Sequence, residues 1–364
     1  MSLMETIAPK RLAEDWDNVG LIIGDGGKTV SRIMVCLDMP DWVLEEALEE
    51  NVDMIITHHP LIFSGIKNIN TDSNLGRKII KLIKNEISLY SSHTNYDIAK
   101  GGLNDIFAKQ LGFDNLKVIH PLNIEKLYKV IVYVPKGSED KILESFSRTG
   151  AGFIGKYSSC SFRVKGIGTF KPEEGSHPYI GNKGILEEVD EYRLETIVPE
   201  ESLTKTIKAM IESHPYEEVA YDIYELINKG NVYGIGRLGV LQEEMSLASY
   251  AEFVKKTLNL SSIRYAGPPD LKIKKVALIN GSGSKYLKQV KSAGADVLIT
   301  GDMQYHQTLD ALESGLSIID AGHFGTEIAM VKSVAEYLKS FSYKQGYDIE
   351  ILESKTNIDP IVQI

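Results

Sequence analysis

Residues 47–60 read ALEENVDMIITHHP and residues 289–303 read QVKSAGADVLITGDM. Both run from a helical pattern through a turn into a short apolar stretch, and both end in a polar tip. A helix delivered onto a strand in this way is one step of β–α–β alternation, which builds a largely parallel sheet covered by helices. Working outward from the first stretch, RIMVCL (32–37) is a strand and PDWVLEEALEE (40–50) its helix. The strand DMIIT (53–57), the helix GRKIIKLIKN (76–85) and the strand ISLYSS (87–92) follow. Around the second stretch the order is the same: KKVALIN (274–280), SKYLKQVKSAG (284–294), ADVLIT (295–300), QTLDALESG (307–315) and LSIID (316–320).

The two ends of the chain also match in polar detail. Aligning SSHTNYDIAKG (91–101) with AGHFGTEIAMV (321–331) sets His93 on His323 and Asp97 on Glu327, with Ile98–Ala99 facing Ile328–Ala329. Agreement in order, element type and spacing favours an internal duplication. Between the halves, KLYKVIVYVP (126–135), SEDKILESFSRTG (138–150), CSFRVKGIGTF (160–170), YRLETIVP (192–199), SLTKTIKAMIESH (202–214) and EEVAYDIYEL (217–226) give a β-α-β-β-α-β order. That is the ferredoxin-like pattern. The expected fold class is therefore α/β, with two related halves forming one metal-binding domain. The halves occupy residues 1–124 and 231–364, and a ferredoxin-like α+β insert occupies 125–230.

Composition narrows the function. Of 364 residues, 43% are hydrophobic and 25% charged, so cores can be built. A net charge of -10 argues against a nucleic-acid binder, which needs a basic face. It leaves a small anionic substrate open, because a bound cation overrides the average field. The two cysteines, Cys36 and Cys160, lie far apart in apolar stretches, which suits a reduced cytoplasmic protein without a disulfide framework. The opening MSLMETIAPKRLAEDW lacks the apolar core of a signal peptide, and no run approaches the ~18 apolar residues of a membrane span.

Ligands of open α/β sheets bind beyond the carboxyl ends of the strands. There the sequence places His58 and His59, then His93 and Asp97, then Asp302 and His306, then His323 and Glu327. Five of the eight histidines fall at these strand ends. A single histidine in such a place reads as a loop residue; their convergence on one sheet edge favours a metal site. A histidine and a carboxylate four residues apart share a helix face, so both reach one ion. Adjacent His58 and His59 point apart at a strand–loop junction and serve neighbouring ions. Imidazole with carboxylate suits zinc, manganese, iron or cobalt, and two ions need about this many ligands. Asp302 and His306 read as partners that orient ligands. His120, His177 and His214, each followed by proline, read as turn histidines. NGSGSKY (280–286) reads as a tight turn, with an anion cradle as the alternative. AEDWDNVGLIIGD (13–25) reads equally as a substrate-contacting loop or a surface turn.

AEDWDNVGL (13–21), ITHHPLIF (56–63), SSHTNYD (91–97), ITGDMQYH (299–306) and GHFGTE (322–327) together resemble the NIF-three-like family, whose bacterial members are labelled GTP cyclohydrolase 1 type 2 homologues or dinuclear metal centre proteins. The resemblance covers residues 3–122 and 232–340. It implies two divalent ions per subunit, zinc first, with iron, manganese or cobalt as alternatives. The implied ligands are His58, His59, Asp97, His323 and Glu327. His93 falls beside the metals, and Asp302 stands where the family carries a glutamate. The resemblance further implies a middle domain similar to PII and CutA proteins and a hexameric ring. The implied activity is hydrolytic opening of the GTP guanine ring at C8, with His93 or His306 moving protons. Competing expectations are a metal-stapled regulatory or scaffold protein whose insert senses a small molecule, and a two-metal phosphoesterase.

Overall fold

A computed structural model describes residues 1–113 and 116–362. The chain divides into two compact units, one formed by Met1–Asn123 with Tyr233–Ile364 and the other by Ile124–Val232. It passes between them along two long strands, β5 (Lys117–Pro135) and β8 (Tyr221–Ser246).

The first unit contains a sheet of β1 (Gly20–Ile23), β2 (Arg32–Cys36), β3 (Met54–Thr57), β4 (Ser88–Ser91) and β13 (Glu350–Glu353), in the order β1-β4-β3-β2-β13. The strands β2, β3 and β4 are parallel, and β1 closes the edge antiparallel to β4. A second set comprises β9 (Arg264–Ala266), β10 (Lys272–Ser282), β11 (Val297–Gly301) and β12 (Ser317–Asp320), with the last part of β8 beside β10. Its order is β8-β10-β11-β12-β9. Here β10, β11 and β12 are parallel, and β9 is antiparallel to β12.

The central strands read as unbroken apolar runs because helices cover both of their faces. Along β2 and β3, Ile33, Val35, Met54 and Ile56 face one core with Met330, Val334 and Leu338 of the helix Ala329–Gln345. Met34, Cys36 and Ile55 face the other, with Val43, Leu44 and Ala47 of the helix Asp41–Glu49 and Leu82 of the helix Asn74–Lys84. The second set alternates likewise: Ala277, Ile279, Leu298 and Ile318 face one core, and Val276, Leu278, Val297, Ile299 and Ile319 the other. Helix Asn74–Lys84 begins where Ser73 Oγ accepts from Gly76 N–H at 3.0 Å, an N-cap. Helix Ala329–Gln345 stops at left-handed Gly346, φ 69°.

The second unit runs β5, helix Glu139–Arg148, β6 (Ser161–Phe170), β7 (Glu187–Pro199), helix Glu200–Ser213 and β8, with strand order β6-β7-β5-β8. Its own core gathers Val130, Val132, Val134, Ile142, Phe146, Leu194, Val198 and Met210. Its borders fall one residue earlier and two later than 125–230. His120 is a correction to the sequence reading: it lies inside β5, its ring 5.4 Å from that of Tyr286, and not in a turn. A residue before proline is pushed to extended backbone, which a strand satisfies as well as a turn does. Both cysteines are free thiols. Among the described residues no helix is long and apolar enough to cross a membrane.

Candidate metal centre

His58 and His59 leave the end of β3 on backbone bonds to the end of β2: each N–H donates to Leu37 C=O at 3.1 Å. His58 is fully buried. Its Nδ1 lies 2.8 Å from Ser92 C=O, so Nδ1 carries the proton and Nε2 keeps its lone pair. His59 Nδ1 is 2.8 Å from Asp38 Oδ1, His93 Nδ1 is 3.0 Å from Asp17 Oδ1, and His323 Nδ1 is 2.6 Å from Asp302 Oδ2. Four imidazoles are thus fixed through the same nitrogen by an outer acceptor, the arrangement that orients metal-ligating histidine.

Three of them aim Nε2 at one carboxylate. Glu327 Oε2 lies 3.1 Å from Nε2 of both His59 and His323, and Oε1 lies 3.8 Å from His58 Nε2. His323 and Glu327 open and close a single short helix, His323–Glu327, so the four-residue spacing puts both on one face. Asp97 holds the matching place on the helix Thr94–Ile98, its Oδ1 3.5 Å from His58 Nε2. Asn280, at the end of β10, donates to Asp97 Oδ1 at 2.8 Å and to Glu327 Oε1 at 3.2 Å. The ligand-capable atoms of His59, His323 and Glu327 lie within 4.8 Å of one another, as do those of His58, His59 and His93. Either group could hold a metal ion.

The fit to a cation rests on what is missing. His58 Nε2 and Glu327 Oε2 are buried and have no aligned hydrogen-bond partner, a costly state unless an ion occupies the space between them. Gly281, φ 57°, borders that space; a Cβ there would come within 2.3 Å of Glu327 Oε1. Burial, with His59 and His93 nearby, pushes the His58 imidazole down to about 3, so it stays neutral. Burial and the Glu327 carboxylate raise Asp97 to about 7. Glu327 is held well below the usual carboxylate range by His323 and His59, which outweigh its burial. In return Glu327 and Asp302 lift His323 to about 9, and Asp38 with Glu327 lifts His59 to about 10 against its burial. Positive charge therefore collects around one buried carboxylate, where divalent ions would replace protons.

The structure brings His58, His59, His93, Asp97, His323 and Glu327 together. It leaves His306 outside both groups, exposed on the helix Tyr305–Glu313 with its ring 5.2 Å from Tyr305. The sequence reading missed Asp38 and Asn280 and left Asp17 undecided. A signal existed for Asp38, which follows β2 as His58 follows β3. Asp17 binds Thr94 N–H at 3.0 Å as well as His93, which assigns the AEDWD stretch to support of this site.

A model of the Duf34/NIF3 family (NGG1p interacting factor 3) matches residues 1–360. A Halalkalibacterium halodurans protein named GTP cyclohydrolase 1 type 2 homolog is 44% identical over 364 residues, covering 100% of this chain and 98% of that protein. A Bacillus subtilis protein of the same name is 43% identical over 360 residues, covering 99% and 96%. Among solved structures, a Bacillus cereus protein related to NIF3 superposes with a TM-score of 0.93 at 44% identity, covering 100% and 97%. A Staphylococcus aureus protein superposes with a TM-score of 0.76 at 32% identity, with the same coverage.

Proposed function

The chain belongs to the Duf34/NIF3 family, and on that premise we propose that the cluster is a dinuclear divalent-metal centre of a hydrolase acting on a small anionic molecule, a nucleotide such as GTP. The observation that carries this reading is the set of oriented imidazoles around a buried carboxylate, with His58 Nε2 left without a hydrogen-bond partner. His58 and Asp97 would hold one ion and His59 and His323 the other, with Glu327 placed to serve both. Two bound ions, zinc, or else iron, manganese or cobalt, would supply an activated water and a Lewis acid.

The chain's own residues supply the rest. A cavity of about 340 Å³ borders Asp97, His93, His323 and Glu327. Trp16 and Lys285 stand at its wall, Lys285 Nζ 5.5 Å from the indole centroid. A half-exposed indole offers a stacking face to a base, and Lys285 offers a cation to an anionic group. His93 is fixed by Asp17 and packed 5.2 Å from the ring of His58, which supports the reading that it carries a proton to or from the substrate. His306, outside the cluster, is given no such role.

The same reading extends to architecture. The parallel orders β4-β3-β2 and β12-β11-β10, each closed by an antiparallel strand that precedes it in sequence, support an ancestral duplication. The element order of the second unit supports a ferredoxin-like insert similar to PII and CutA proteins. The hexamer belongs to this reading too, and light scattering on the purified protein checks it.

Elemental analysis with anomalous diffraction on the purified protein tests the centre; absence of metal at the five ligands would remove it. Turnover of a nucleotide and phosphoester panel, with and without chelator, then tests hydrolysis. Asp97→Ala should abolish chelator-sensitive turnover while the far-ultraviolet spectrum is kept. Loss of folding in that variant, with no substrate ever turned over by the parent, would favour a metal-stapled scaffold.

A further inference from the structure

We propose that the second unit carries a binding site for a small organic cation, a protonated amine or a quaternary ammonium. The site is a cavity of about 450 Å³ lined only by residues of that unit, a volume that suits a small ligand. Glu191 of β7 lines it and is only 8% exposed. Its Oε1 accepts from the Tyr216 hydroxyl at 3.0 Å, the one hydrogen bond its carboxylate makes among the described residues. Oε2 is left to the cavity. On the adjacent strand β6, a Cβ at Gly168 would fall 2.1 Å from Oε2, so the bare glycine is what leaves the carboxylate room.

Aromatic rings complete the site. Phe170 and Tyr179 lie 5.9 and 6.2 Å from the Tyr216 ring, and all three line the cavity. Tyr216 is itself fixed: its backbone N–H donates to His214 Nδ1 at 3.1 Å, and His214 Nε2 donates to Tyr133 C=O at 3.0 Å. Ring faces carry negative potential, and several of them around a carboxylate recognise a cation of low hydration. The other charges agree. Glu173, Glu217 and Glu218 also line the cavity; Lys171, the basic residue there, lies 3.8 Å from Glu173. An anion would meet four carboxylates, and a neutral ligand would leave Glu191 buried with a single phenol as partner.

Calorimetric titration of the full chain with choline, propylammonium and the uncharged choline isostere 3,3-dimethylbutan-1-ol tests this. At least one cation should bind, and the alcohol should bind about tenfold more weakly or worse. Glu191→Gln should weaken the cation by a similar factor and leave the alcohol unchanged. Tyr179→Ala, at an exposed rim position that folding tolerates, should weaken the cation several-fold and decides the matter if Glu191→Gln does not fold. Equal binding of alcohol and cation, no binding of either cation, or binding that survives both substitutions would overturn the proposal.

Discussion

His58 shows how much a single side chain here depends on its neighbours. Its outer nitrogen is committed to Ser92, so its inner nitrogen, without a hydrogen-bond partner, is free to meet an ion between it and the carboxylates of Asp97 and Glu327. The same logic makes Asp38 testable. Asp38 touches His59 through Nδ1 alone, so Asp38→Ala removes orientation and basicity but no ligand. Competition with a chelator should show metal affinity falling by about 10–100-fold, the usual loss when such a partner is removed. His214 predicts a pH dependence of different origin. Its imidazole accepts at one nitrogen and donates at the other, and burial holds it below its ordinary 6.5. An unfolded chain takes up a proton below pH 6.5 that the folded imidazole refuses. Stability from this residue is therefore complete above that pH and declines as pH falls toward the folded value, by at most about 1.4 kcal/mol per pH unit. Urea midpoints between pH 8 and 5 should slope accordingly, and His214→Gln should flatten the slope.

At the scale of elements, the two strand tips quoted at the outset differ for a steric reason. Gly301 occupies the place of His58, and a Cβ there would lie 2.5 Å from the His323 backbone nitrogen. The helix His323–Glu327 can approach β11 only because position 301 is bare. Gly301→Ala should displace that helix, costing about 1–3 kcal/mol in chemical unfolding and lowering metal occupancy by elemental analysis. The central strands and their helices were legible in the sequence because burial on both faces leaves an uninterrupted apolar signature. The edge strands β1, β9 and β13, three or four residues each, carry no such signature and were not read. The clustered histidines and carboxylates were legible through residue type and strand-end position. Asp17 and Asn280 were not, because an outer partner is marked by what it touches, and contacts between residues 97 and 280 do not show in a linear pattern.

For the whole molecule, the two units own separate cores, and the centre lies in the first alone. Chelation should lower the calorimetric transition of the first unit and leave that of the second in place. With free metal at a thousand times its dissociation constant, the loss on chelation is about 4 kcal/mol. The centre also has a history within each copy of the protein. His59 and His323 are 264 residues apart, so a growing chain on the ribosome displays the paired histidines long before it has made their counterparts. Until the last third has emerged, the early histidines lack His323 and Glu327 beside them. On the proposed reading, metal loading would wait for the finished chain, and the ion received would be set by the pool the completed protein meets, not by what surrounds it during synthesis.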